Sequence, residues 1–162
     1  SSDVCSSDLD RITGSNGFAE SILGGDGDDI LVGNDGNDTI NGGHGNDSIT
    51  AGNGADVVQG SDGRDNIDTG AGDDSINGGD GDDLVTAGDG DDTVDASHGA
   101  DNIDGGNGND SMIGGFGNDT VTGGAGNDTI FGGADYDSIS GGIGNDSLYG
   151  NAGNDSRCRI DR

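Results

Sequence analysis

Gly24-Gly25-Asp26-Gly27-Asp28-Asp29-Ile30-Leu31-Val32 is a nine-residue unit that occurs fourteen times in unbroken register, ending at Tyr149. Its sixth position is aspartate in every copy: Asp29, Asp38, Asp47, Asp56, Asp65, Asp74, Asp83, Asp92, Asp101, Asp110, Asp119, Asp128, Asp137 and Asp146. Its eighth position is apolar in every copy, from Leu31, Ile40 and Ile49 to Ile130, Ile139 and Leu148. The fourth is glycine from Gly27 to Gly126 and again at Gly144, with Asp135 the exception. A short fixed period specifies a stacked-repeat architecture before any single strand is assigned, because one unit cannot bury its apolar side chain alone.

Within a copy, the period of two in a strand places the apolar eighth side chain on one face and its neighbours on the other, as in Thr39-Ile40-Asn41. Each copy therefore predicts a six-residue turn followed by a three-residue strand. Successive strands fall on alternate sides of a flattened coil, so 18 residues complete one turn of an all-β parallel solenoid. Seven coils follow, roughly 34 Å long at ~4.8 Å per strand spacing. The expected core is two facing rows of aliphatic side chains. Glycines at the first, second and fourth positions are expected to permit positive φ and to bring carbonyls and amides together in the turns.

Composition says what such a thin core leaves undone. Glycine supplies 38 residues, proline none, and only 27% of the chain is hydrophobic. Apolar burial on that scale falls far short of the entropy lost on ordering the chain. Thirty-three acidic residues against five arginines and no lysine leave a formal charge of −28, so the compact state repels itself unless cations join it. This acidity argues against nucleic acid and anionic membranes as partners and for cations. No apolar run approaches 18 residues, which predicts no transmembrane helix, and the first residues show no recognisable signal peptide.

These residues match, copy for copy, the consensus G-G-x-G-x-D-x-U-x, and the chain resembles the RTX (repeats-in-toxin) hemolysin-type calcium-binding family over residues 24–149. The resemblance implies a right-handed parallel β-roll with Ca2+ in its turns. Each ion would sit between turns one coil apart, taking a carboxylate from each and carbonyls from the glycine-rich backbone. Carried onto this chain, one edge pairs Asp29 with Asp47, Asp47 with Asp65 and so on to Asp137, and the other runs from Asp38 and Asp56 to Asp146. The carbonyl donors implied are Gly25, Gly27, Gly36, Gly43, Gly45, Gly52, Gly54, Gly63, Gly70, Gly72, Gly79 and Gly81. They continue with Gly88, Gly90, Gly99, Gly106, Gly108, Gly115, Gly117, Gly124, Gly126, Gly142 and Gly144. Six intervals on each edge make about 12 calcium sites, with a further one where Asp137 meets the turn containing Gly153 and Asp155. Calcium accepts six to eight oxygens, carboxylate or carbonyl, which suits this donor set.

Departures from the pattern carry expectations too. Ala51, Thr69, Ala87 and Ala96 replace the first glycine, and Asp135 followed by Tyr136 is expected to weaken the stack at Asp137. Residues 10–23 read as a degenerate repeat or cap, with Glu20 at the acidic position and Ile22 at the apolar one. Residues 150–162 read as a decaying final repeat and non-native tail, the solenoid ending near Ser156 because Arg157 takes the apolar position. Residues 1–9 resemble the in-frame translation of a sequencing adaptor, and Asp161-Arg162 the start of its reverse partner. On that reading Cys5 is foreign, and a bridge from Cys5 to Cys158 would have to join opposite ends of the solenoid.

Motifs for catalysis are weak. Asp68-Thr69-Gly70 spells an aspartic-protease tripeptide across a repeat boundary with no second copy to form a dyad. His44 and His98 stand at the variable third position, where they read as solvated turn residues rather than zinc ligands. Glu20 is the one glutamate, so EF-hand loops lack their twelfth-position ligand. Asn-Asp-Ser/Thr triplets such as Asn37-Asp38-Thr39 arise from the repeat itself and do not mark glycosylation. The expectation is a non-enzymatic, monomeric module of a larger secreted or cell-surface bacterial chain, exported unfolded by a type I secretion system and folding on extracellular calcium. The alternative is a calcium-stiffened spacer of an adhesin or surface-layer protein. An ice-binding role lacks its regular threonine and asparagine ladder.

Overall fold

A computed structural model describes the backbone of residues 2–4 and 9–161, and the side chains of 9–156. Cys5 and the Cys158 side chain, and with them any bridge between the two, lie outside the described residues, as does most of the adaptor-like segment. After the short strands Ser2–Val4 (β1) and Arg11–Thr13 (β2), sixteen six-residue strands follow at nine-residue intervals, from Ser21–Asp26 (β3) to Ser156–Asp161 (β18). Odd-numbered strands form one nine-stranded sheet and even-numbered strands the other. Every pairing is parallel. Val85 of β10 (Leu84–Asp89), for example, lies between Ile67 and Ile103, each 18 residues away. The described chain is a parallel β-solenoid of two nonapeptides per coil.

Two facing rows fill it. Ile22, Ile40, Val58, Ile76, Val94, Met112, Ile130 and Leu148 line one sheet, and Ile12, Leu31, Ile49, Ile67, Val85, Ile103, Val121 and Ile139 the other. All are buried except the half-buried Leu148 at the C-terminal end of its row. Flanking strands add Ile12 and Ile22, so each row holds eight side chains rather than the expected seven. Because a row touches only its neighbours and the row opposite, one truncation leaves a hole that nothing above or below can fill. Ile103→Ala is expected to cost about 2–5 kcal/mol in the calcium-loaded chain, read as a shift of the urea midpoint at unchanged slope.

Three expectations need correction. The strands are six residues long, not three, because the ladder continues through the first to third positions. The burial alternation runs on with it, the first-position residue turning inward like the eighth. Positive φ occurs at the second and fourth positions but not at the first, where glycine serves by having no Cβ on the inward side. Finally, the coil does not stop near Ser156. β18 pairs with β16 (Ser138–Ile143) as far as Asp161, with Arg157 opposite Ile139, since backbone pairing tolerates the loss of an apolar side chain.

At the N-terminal end the register changes once. Ser2 pairs with Ser21 and Arg11 with Ile30, a separation of 19, while Ser21 pairs with Thr39 at 18. The extra residue lies in the turn from Gly14 to Glu20, which contains Gly17 at φ 80°. Glu20 folds back onto this turn, its carboxylate accepting from the Ser15 amide (2.8 and 3.0 Å) and the Ser15 hydroxyl. Those bonds hold its carboxyl below the usual range.

Candidate metal centre

Each coil presents two turns, one at either edge of the flattened solenoid, and the sixth-position aspartate closes every turn. Its backbone carbonyl accepts from the seventh-position N–H of the next coil, as Asp29 does from Ser48 at 2.8 Å. Its Oδ1 accepts from the N–H of the aspartate one coil earlier: Asp29 donates to Asp47, Asp47 to Asp65 and Asp65 to Asp83, each at 2.8 Å. The other edge repeats this from Asp38 to Asp56 (2.7 Å) through Asp128 to Asp146 (3.0 Å). The aspartates predicted 18 residues apart are thus stacked in two columns, and all from Asp29 to Asp137 are buried.

The second carboxylate oxygen is what the fold leaves unfinished. Oδ2 of every sixth-position aspartate from Asp29 to Asp146 is buried with no hydrogen-bond partner, a row of orphaned acceptors that is costly in any protein interior. Burial is the first cause of the resulting pKa shifts and like-charged neighbours add to it, while the N–H accepted by Oδ1 opposes them. The carboxyls of Asp65, Asp74, Asp92, Asp101, Asp110 and Asp119 are pushed up to about 6. Asp83, midway along its edge, reaches about 7, and Asp38, Asp47, Asp56, Asp128 and Asp137 are raised less. At neutral pH the columns call for positive charge: protons or cations.

Carbonyl oxygens crowd the same turns. The predicted donor glycines all take positive φ, and so do Gly133 and the substituted positions Asn34, Ser61, Ser97 and Asp135. From Gly36 onward a Cβ at these glycines would overlap the equivalent carbonyl one coil earlier, so Gly43 faces the Gly25 oxygen and Gly45 the Gly27 oxygen with no side chain between. The first position builds a second cradle: a Cβ on Gly33 would stand 2.5 Å from both Asp38 Oδ2 and the Ala51 carbonyl oxygen. Among the described residues no three His, Cys, Asp or Glu side chains group as a metal site. What stacked turns offer a cation is the carboxylates of neighbouring coils and the backbone carbonyls beside them. That donor set fits a hard, oxygen-seeking ion such as Ca2+ and suits zinc or copper poorly.

Sequence reasoning missed Asp10. Its amide donates to Asp29 Oδ1 at 2.8 Å and its own Oδ2 is a buried orphan, so it extends the first column by one coil. The signal was present in Asp10-Arg11-Ile12, which has the acidic and apolar residues two apart but one residue out of register. At the other end Asp137 donates to Asp155 Oδ1 at 3.2 Å. His44 and His98 are solvent-exposed, pairing through Nδ1 with Asp62 (2.7 Å) and Asp80 (3.2 Å). His98 also stacks on Phe116.

Comparison with known proteins gives one positive result. The sequence model of the RTX calcium-binding nonapeptide repeat, four copies long, matches residues 23–58, 50–85, 59–94, 86–121, 95–130 and 122–156. No curated protein matches the chain. With its repeats matched from residue 23 to 156 and its aspartates stacked in two columns, the chain belongs to the RTX calcium-binding nonapeptide repeat family.

Proposed function

We propose that this chain is a calcium-dependent folding module of a secreted bacterial protein, unfolded where calcium is scarce and ordered on meeting it outside the cell. The two columns of unpartnered buried Oδ2 atoms carry the reading: the fold contains an acceptor array that only protons or cations complete. The six intervals on each edge take about 12 ions, and the Asp10–Asp29 and Asp137–Asp155 intervals are two further candidates. Twelve divalent ions bring the formal charge from −28 to about −4. Without them, self-repulsion keeps the chain extended and fit for export through a type I secretion system, as in the family at large. The module works as a monomer within a longer chain and performs no chemistry itself. No helix among the described residues is long and apolar enough to cross a membrane.

A spacer of an adhesin or surface-layer protein would use the same stiffened rod and make contacts through its outer faces. Val57, Leu84, Ile113 and the stacked pair Phe131–Tyr149 (4.8 Å between centroids) are the apolar side chains such contacts would use. Titrating the full chain with calcium from chelator separates the folding switch from its failure. A cooperative rise in β circular dichroism at sub-millimolar to millimolar calcium, absent with magnesium, is expected. A chain equally ordered in chelator at pH 7.5, or disordered at saturating calcium, overturns the proposal.

A further inference from the structure

On one edge the first position reads Gly33, Ala51, Thr69, Ala87, Gly105, so three consecutive coils lack the glycine that forms the inward cradle. On the other edge Ala96 alone interrupts the glycines between Gly24 and Gly132. Ala51, Thr69 and Ala87 are all fully buried, at the position where a Cβ on Gly33 or Gly105 would stand 2.5 Å from the Oδ2 of the aspartate five residues on.

Thr69 adds a proton to this. Its hydroxyl donates to the Ala87 carbonyl oxygen one coil on at 2.8 Å, fully buried. Beneath it lies Asp74, 3% exposed, whose Oδ2 lacks a well-aligned hydrogen bond although the same Thr69 hydroxyl lies close enough to its carboxyl to oppose the effect of burial.

We propose that Thr69 and its flanking alanines create a distinct, weaker class of calcium site at the two intervals either side of Asp74, so that the edges load unequally. The Thr69 hydroxyl supplies the Ala87 carbonyl with the positive partner that an ion supplies elsewhere. The three side chains also stiffen the cradle against rearrangement of the Asp56, Asp74 and Asp92 carboxylates. The coil is thereby held in register without metal and yields less on binding it. This rests on the calcium reading above and goes beyond it in assigning a hierarchy to named residues.

Equilibrium dialysis of the full chain against 45Ca, approached from the loaded state by stepwise chelation, tests it. The native chain is expected to release two ions ahead of the rest. Thr69→Ser, which keeps the hydroxyl, should preserve that early step, whereas Thr69→Ala should tighten it roughly fivefold, the net worth of one hydrogen bond. The triple change Ala51→Gly, Thr69→Gly, Ala87→Gly should merge the two classes. Circular dichroism of each loaded variant verifies that it is folded. A native chain that binds calcium in a single class, or a Thr69→Ala isotherm identical to the native one, overturns the hierarchy and leaves the folding module standing. A native chain that binds no calcium overturns both.

Discussion

Gly81→Ala is expected to split the solenoid's single calcium-loaded unfolding transition into two and to lower the stability of the affected coils by about 3 kcal/mol or more. Gly81 holds φ at 145°, beyond the left-handed well open to L residues, and a Cβ there would overlap the Gly63 carbonyl. Neither fault has an easy remedy. Moving the Gly63 peptide disturbs the Asp80 carbonyl, which accepts the Gly63 amide at 2.7 Å, and shifting the turn breaks the Gly81 amide's 2.8 Å bond to the His98 carbonyl. Repeats couple only to their neighbours, so the damage stays local and the halves above and below melt separately.

Urea unfolding at saturating calcium, followed by circular dichroism, reads the effect. Gly17→Ala is the control, since Gly17 also has positive φ but a Cβ there meets nothing within 4 Å. It should cost only the left-handed backbone term, about 1 kcal/mol. A Gly81→Ala chain that unfolds in one transition near the native midpoint would show that the turns are pliable and that coil contact is not what demands glycine.

The contrast between those glycines marks where a sequence can be read and where it cannot. The nine-residue period exposed the sixth-position aspartates and the eighth-position aliphatics, because a period of two within each strand and 18 between coils leaves no other arrangement for Val85 or Asp83. It also located the substituted coils at Ala51, Thr69, Ala87 and Ala96. Three things were hidden for physical reasons. Glycine has no side chain to betray its direction, so Gly33 and Gly42 read as turn although they continue the strand and face inward. Asp10 escaped because one extra residue before Glu20 moves it out of period. Which carboxylate oxygen takes the backbone amide and which stays unpartnered depends on the offset between coils, and only coordinates reveal that.

Asp83→Asn should have opposite effects with and without calcium. Asp83 has the most strongly raised carboxyl, at about 7, so the metal-free fold holds a proton there that the unfolded chain releases near 3.8, the ordinary value for aspartate. Because the folded pKa is the higher one, this stabilisation is full below about 3.8 and is lost as pH rises through 7. The six carboxyls at about 6 act in the same sense, so in chelator β signal should grow as pH falls from 7.5 to 4.5. Asparagine imitates the protonated state at every pH. Its amide oxygen can still accept the Asp65 N–H, and its NH2 replaces the Oδ2 that stands with the Ala96 carbonyl around Gly78. In chelator at pH 7.5 the variant should therefore be more ordered than the native chain, by about 1 kcal/mol or more. With calcium the sign reverses. The intervals Asp65–Asp83 and Asp83–Asp101 each lose a carboxylate, and affinity there should fall at least about tenfold, since ligand charge sets calcium affinity. Lowering pH from 7.5 to 5.5 should likewise weaken calcium binding by the native chain as protons compete for the columns. Parallel calcium and pH titrations of both chains measure these quantities. If Asp83→Asn destabilises the chain equally in chelator and in calcium, the aspartate serves only the amide ladder, and the orphaned oxygen has no part in binding the ion.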